Sequence, residues 1–142
     1  MKNRNFLFPA LSMLLLSCGS VPTSPREQAL YDAVWELEYL SGPRIAFEGL
    51  YPDKKPVISF EKSSMEVSGN GGCNGYSAEF TLDGEDISFG EPGPTTMMYC
   101  GNGEPEFLNM MRKVNRYGID DDGKLNLMID EVPMMRFKPV SE

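Results

Sequence analysis

From Val34 onward apolar and polar residues alternate with a period of two, the pattern of strands that bury one face only. Trp35, Leu37 and Tyr39 share one face, Glu36 and Glu38 the other, and Gly42-Pro43 ends the run. The same alternation marks Ile58 and Phe60, Met65 and Val67, and Tyr76, Ala78, Phe80 and Leu82. Turn dipeptides separate these runs. Asp83-Gly84 predicts a tight hairpin into Ile87 to Phe89, and Asp122-Gly123 predicts another joining Tyr117 to Ile119 with Leu125 to Ile129. One stretch has a helical period: Phe107, Leu108, Met111 and Val114 form a stripe behind Pro105, which suits a first turn, and Gly118 follows. Glu104 and Glu106 at its start and Arg112, Lys113 and Arg116 near its end match the helix dipole. Roughly eight or nine short strands and one helix of about three turns predict an α+β domain, mainly antiparallel. Its sheet should curl toward a barrel to remove its edges, with the helix packed on it.

The start of the chain follows a different pattern. Lys2 and Arg4 precede an apolar run from Phe6 to Ser17 that is too short to span a bilayer, and Leu15-Leu16-Ser17-Cys18 fits a bacterial lipobox. The expectation is a lipoprotein signal peptide over residues 1–17 and an acylated Cys18, with residues 18–30 as a lipid-anchored tether and 31–142 as the domain. Ser20, Pro22, Thr23, Ser24 and Pro25 give Gly19 to Glu27 the composition of an extended, mobile spacer. Such a chain belongs to the cell envelope, held by lipid at the periplasmic face of the outer membrane.

Charge and cysteine count sharpen this picture. The chain of 142 residues carries a formal charge of −8, and loss of the leader with Lys2 and Arg4 takes the mature form to about −10, a surface that repels nucleic acid and anionic headgroups. Membrane contact must then come through the acyl chains, and no nucleic acid partner is expected. About 125 mature residues suit one domain. Assigning Cys18 to lipid leaves Cys73 and Cys100 as a pair in an oxidising compartment, where a disulfide is the default and two separate buried thiols the alternative.

The chain also resembles the META domain family, whose bacterial members include the HslJ-like heat-shock proteins. The resemblance rests on Trp35-x-Leu37-x-x-Leu40-x-Gly42, Pro56-x-Ile58-x-Phe60 and above all Gly69-x-x-Gly72-Cys73-Asn74-Gly75-Tyr76. It continues through Thr96-Met97-Met98-Tyr99-Cys100, Glu106-Phe107-Leu108, Tyr117-x-Ile119, Leu125-x-Leu127 and Met135-x-Phe137. It implies a small β-rich domain with a helix, often exported or lipid-anchored, linked to stress responses, and with no established catalytic residues. Gly69, Gly72, Asn74, Tyr76, Thr96 and Met98 are its motif positions here. Tyr99 departs from the pattern, standing where many relatives have a small residue. Read from the residues alone, the glycines let the chain turn sharply and aim Cys73 at Cys100, while Asn74 suits a left-handed turn position. A backbone nest for an anion is the alternative reading of this loop.

The chemistry available is narrow. The chain has no histidine, which removes the commonest general base and the Ser-His-Asp and Cys-His arrangements. Asp120-Asp121-Asp122-Gly123 fails as an EF-hand loop, because Gly118 and Ile129 fall where carboxylates are needed, and it reads as a solvated hairpin tip. A weak calcium site with Asp130 or Glu131 is the alternative. Methionine pairs at Met97-Met98, Met110-Met111 and Met134-Met135 could suggest Cu(I), but neighbours on a strand face opposite ways. Core filling, or an adaptable surface for a partner, accounts for them better. No metal or cofactor is expected. The expectation is a lipid-anchored, non-enzymatic envelope protein that binds an envelope partner or serves in the stress response. The alternatives are a small-ligand or metal carrier and a polysaccharide-acting enzyme with paired carboxylates among Glu79, Glu85, Asp86 and Glu91. The large inward residues Trp35, Tyr39, Phe60, Phe80, Phe89 and Phe137 argue that the sheet's interior is filled.

Overall fold

A computed structural model describes residues 23–94 and 98–140. Cys18, the signal segment, Thr96 and Met97 lie outside the described residues. The strands are β1 (Val34–Leu40), β2 (Val57–Glu61), β3 (Glu66–Asn70), β4 (Gly75–Asp83), β5 (Asp86–Phe89), β6 (Gly93–Pro94), β7 (Arg116–Ile119), β8 (Leu125–Ile129) and β9 (Val132–Val140). Eight of them close an antiparallel ring in the order β1-β2-β3-β4-β5-β7-β8-β9, with β9 returning to β1, and the two-residue β6 pairs with β4 outside it. The ring is uneven. β1 and β9 pair over nearly their whole length, whereas the β5 to β7 seam is joined at Asp86 and Arg116.

The expected hairpins form. Asp83 pairs with Asp86 across Gly84, which adopts φ +63, and Gly123 takes φ +73 in the turn from β7 to β8. These positive angles are the reason glycine stands there. Asp120 holds the second turn: its Oδ1 accepts from the backbone N–H groups of Asp122 and Lys124, and these bonds pull its pKa below the usual carboxylate range.

Inward residues fill the ring. Trp35, Leu37, Ile58, Phe60, Val67, Tyr76, Phe80, Leu125, Leu127, Met135 and Phe137 are buried, and the Phe60 and Phe80 rings meet edge to face at 5.3 Å. Tyr39 departs from the expectation, being 48% exposed. A bulge between Leu37 and Tyr39 in the pairing with β9 shifts the alternation, so Tyr39 turns outward while Leu37 stays in. Phe89 is only partly buried, packed at the margin of the core.

Among the described residues there are three helices rather than the one expected: α1 (Pro25–Tyr31), α2 (Phe47–Leu50) and α3 (Gly103–Met111). Residues 25–30, expected as the end of an extended tether, are helical. Ser24 caps α1 by accepting from the Glu27 N–H, Pro25 fits its first turn, and Leu30 is fully buried, its carbonyl accepting from Trp35 Nε1 at 3.0 Å. One apolar residue and a good cap thus outweigh the spacer-like composition. Helix α3 ends before Val114, which is nonetheless buried, and Arg116 belongs to β7.

Helices α1 and α3 stop opposite ends of the ring. α1 immediately precedes β1 and packs on β2 and β7, while α3 lies near Gly42, just beyond the other end of β1. Phe107 of α3 is fully buried between Tyr76 and Phe137, with ring centroids at 5.6 and 6.4 Å. α2 then supports α3: Tyr51, which follows it, donates its hydroxyl to the Gly103 carbonyl at 2.8 Å.

Candidate functional site: a clasped loop beside a helix

The glycine-rich motif is the hairpin loop between β3 and β4, whose last pair is Asn70 with Gly75. Close packing explains its glycines. A Cβ on Gly69 would lie 2.0 Å from the Val57 carbonyl oxygen, and one on Gly71 would lie 2.8 Å from Glu104 Cγ. Gly72 needs φ +102 and sits against the Tyr51 ring. The loop is tied from within by Asn70, whose Oδ1 accepts from the Gly72 N–H and whose Nδ2 donates to the Cys73 carbonyl.

Cys73 bonds to Cys100, pinning this loop to the segment that leads into α3. Asn74 makes the second attachment, in a way the sequence reading missed. It is not in the left-handed region; it is 5% exposed, and its side chain imitates a strand neighbour. Its Oδ1 accepts from the Met98 N–H at 2.9 Å and its Nδ2 donates to the Met98 carbonyl at 2.7 Å.

Glu104 completes the clasp. One oxygen, Oε2, accepts from the Asn74 N–H at 3.0 Å and from Asn74 Nδ2 at 2.8 Å. The backbone N–H groups of Gly71 and Gly72, which the alternative reading offered to an anion, donate within the loop to the Asn74 carbonyl and to Asn70 Oδ1, and the carboxylate of Glu104 is held by Asn74 instead. In sequence Glu104 is indistinguishable from an acid placed for the helix dipole, so no local signal could assign this role.

The remaining motif positions divide by exposure. Tyr76 is buried, donates its hydroxyl to the Val57 carbonyl at 3.2 Å, and burial pushes its pKa up. Met98 and the neighbouring Tyr99 point outward, 66% and 83% exposed. Between them and α3 runs an open groove of about 400 Å³, lined by Met98, Tyr99, Pro105 and Leu108 with Arg112 at the far turn of the helix. Arg112 donates from Nε (2.8 Å) and Nη2 (2.6 Å) to Glu91 Oε1, and holds the Glu91 carboxyl below its usual range.

The other candidate acids lie outside the lining of this groove, and three of them share one arginine. Glu79 pairs across strands with Glu66 on a solvated face, while Glu85 and Asp86 flank Arg116, which also contacts Glu131. Asp130 accepts from Asn115. Among the described residues no three cysteine, aspartate or glutamate side chains are grouped to hold a metal ion. Met110, Met111 and Met135 are buried, as core filling requires. Among the described residues no helix is long and apolar enough to cross a membrane.

A histidine-free, disulfide-clasped antiparallel ring, stopped by a helix and carrying Gly-Gly-Cys-Asn at the clasp, defines a small β-rich class of domain. A family model of the META domain matches residues 28–141, and the chain belongs to the META domain family. An NMR structure of a protein from Burkholderia xenovorans is similar in fold, with a TM-score of 0.62 at 23% identity, over 87% of this chain and 95% of that one. A second NMR structure has a TM-score of 0.55 at 22% identity, over 79% of this chain and 92% of that one. No curated protein matches significantly.

Proposed function

We propose that this chain is a lipid-anchored META-domain protein of the cell envelope, attached through Cys18 at the periplasmic face of the outer membrane, and that it acts by binding rather than by catalysis in the response to envelope stress. Leu15-Leu16-Ser17-Cys18 supports the anchor, and a disulfide between the two remaining cysteines suits an oxidising compartment. The observation that carries the binding role is the exposure of Met98 and Tyr99 on a segment fixed by a disulfide and by Asn74. Large apolar side chains held out in water by a rigid clasp lose little freedom when covered, which favours association.

Expression of the full chain in a bacterial host with labelled palmitate tests both parts. Wild type should incorporate label and sediment with membranes, and Cys18→Ala should do neither. The double variant Met98→Ser with Tyr99→Ser should keep the wild-type melting temperature yet lose envelope crosslinks and survival under heat or antibiotic stress. Unlabelled wild type, or a groove variant that behaves as wild type in cells, would overturn the corresponding half.

A further inference from the structure

We infer that the groove between Met98 and α3 takes a small apolar carboxylate, its body along Met98, Tyr99, Pro105 and Leu108 and its carboxylate on Arg112 in place of Glu91; this rests on the binding role proposed above. A groove of about 400 Å³ is within the size range of small-molecule sites. One wall is set by the disulfide and the Asn74 clasp and the other by α3, so the shape exists before a ligand arrives.

The charge at its end selects the ligand. Arg112 already holds a carboxylate, so the guanidinium is presented where such a group can reach it. Both bonds end on the single oxygen Oε1, short of the two-oxygen fork that binds carboxylates best. The Glu91 side chain is 76% exposed, and a solvated pair of this kind exchanges readily. Glu104, at the other end, is committed to Asn74. A formal charge of −8 on the whole chain disfavours polyanions, which leaves one negative charge on an apolar body as the fitting form.

The full chain in nanodiscs of zwitterionic lipid, labelled with ¹³C-methyl methionine, reports the groove through Met98 and the core through Met111 and Met135. Titration with 4-phenylbutyrate should shift the Met98 methyl saturably and leave the two core methyls in place. The alcohol 4-phenyl-1-butanol and the variant Arg112→Gln should each weaken binding by about tenfold, the loss expected for one charge-assisted contact, and Glu91→Gln should tighten it. Unmoved core methyls certify that each variant is folded. No saturable Met98 shift by roughly 10 mM, or equal binding by the alcohol or by Arg112→Gln, would overturn the assignment. A groove variant that still loses crosslinks and stress survival would in that case leave the binding role standing and discard only this ligand class.

Discussion

Replacing Asn74 by Asp changes one atom in the clasp and should produce a pH-dependent loss of stability. The new oxygen would stand where Nδ2 now donates to the Met98 carbonyl at 2.7 Å and to Glu104 Oε2 at 2.8 Å. Losing a neutral and a charge-assisted hydrogen bond costs about 3 kcal/mol together. Two carboxylates about 3 Å apart add roughly 1.5 kcal/mol even at the dielectric constant of water, and more in a partly buried site. The expected total at pH 7 is about 4–5 kcal/mol. In the folded variant the carboxyl pair binds a proton more tightly than separated carboxyls do in the unfolded chain, so the introduced group's folded pKa is raised. Its proton-bound stability is fully present below the unfolded value near 4 and is lost as pH rises through the higher folded value. The gap to wild type should therefore shrink to about 1–2 kcal/mol at pH 4, where the protonated group donates to Glu104. Urea unfolding at several pH values, followed by fluorescence of the single, buried Trp35, measures it. A gap independent of pH, or smaller than about 1 kcal/mol at pH 7, would refute the clasp as described.

Two further perturbations separate the other supports of the site. Cys73→Ser with Cys100→Ser opens a loop with a sequence separation of 27; by chain entropy this costs about 3.5 kcal/mol, or roughly 14 °C of melting temperature for a domain of this size, and calorimetry finding no shift would discard the covalent link as a stabiliser. The depressed Asp120 pKa contributes stability that is present above the unfolded value near 4 and lost as pH falls through the folded value. Asp120→Asn should therefore flatten the acid limb of the stability profile below about pH 4, and an unchanged limb in urea titrations would count against the turn's role.

Much of the fold is legible in local residues. The period-two runs give the inward faces of β1 as far as Leu37, of β2 and of β4, because strand side chains alternate whatever the strand pairs with. Asp83-Gly84 and Asp122-Gly123 give two hairpins, since glycine alone takes the positive φ there without strain. The Phe107 and Met111 stripe gives α3, and the cysteine count gives the pair Cys73 and Cys100. Composition misleads at α1, where Ser24 and Pro25 read as spacer but serve as cap and first turn to seat Leu30.

The site, by contrast, depends on partners far apart in the chain. Closure of the ring pairs Val34 with Val140, and a bulge of one residue sends Tyr39 into solvent, neither of which a local pattern encodes. Asn74 meets Met98, and Glu104 meets Asn74, only because the disulfide and the packed ring bring the β3 to β4 loop onto the start of α3. Periodicity determines which side of an element is apolar. Which remote polar group then satisfies a buried donor, and whether Met98 and Tyr99 end inside or outside, is decided by the packing of the whole domain.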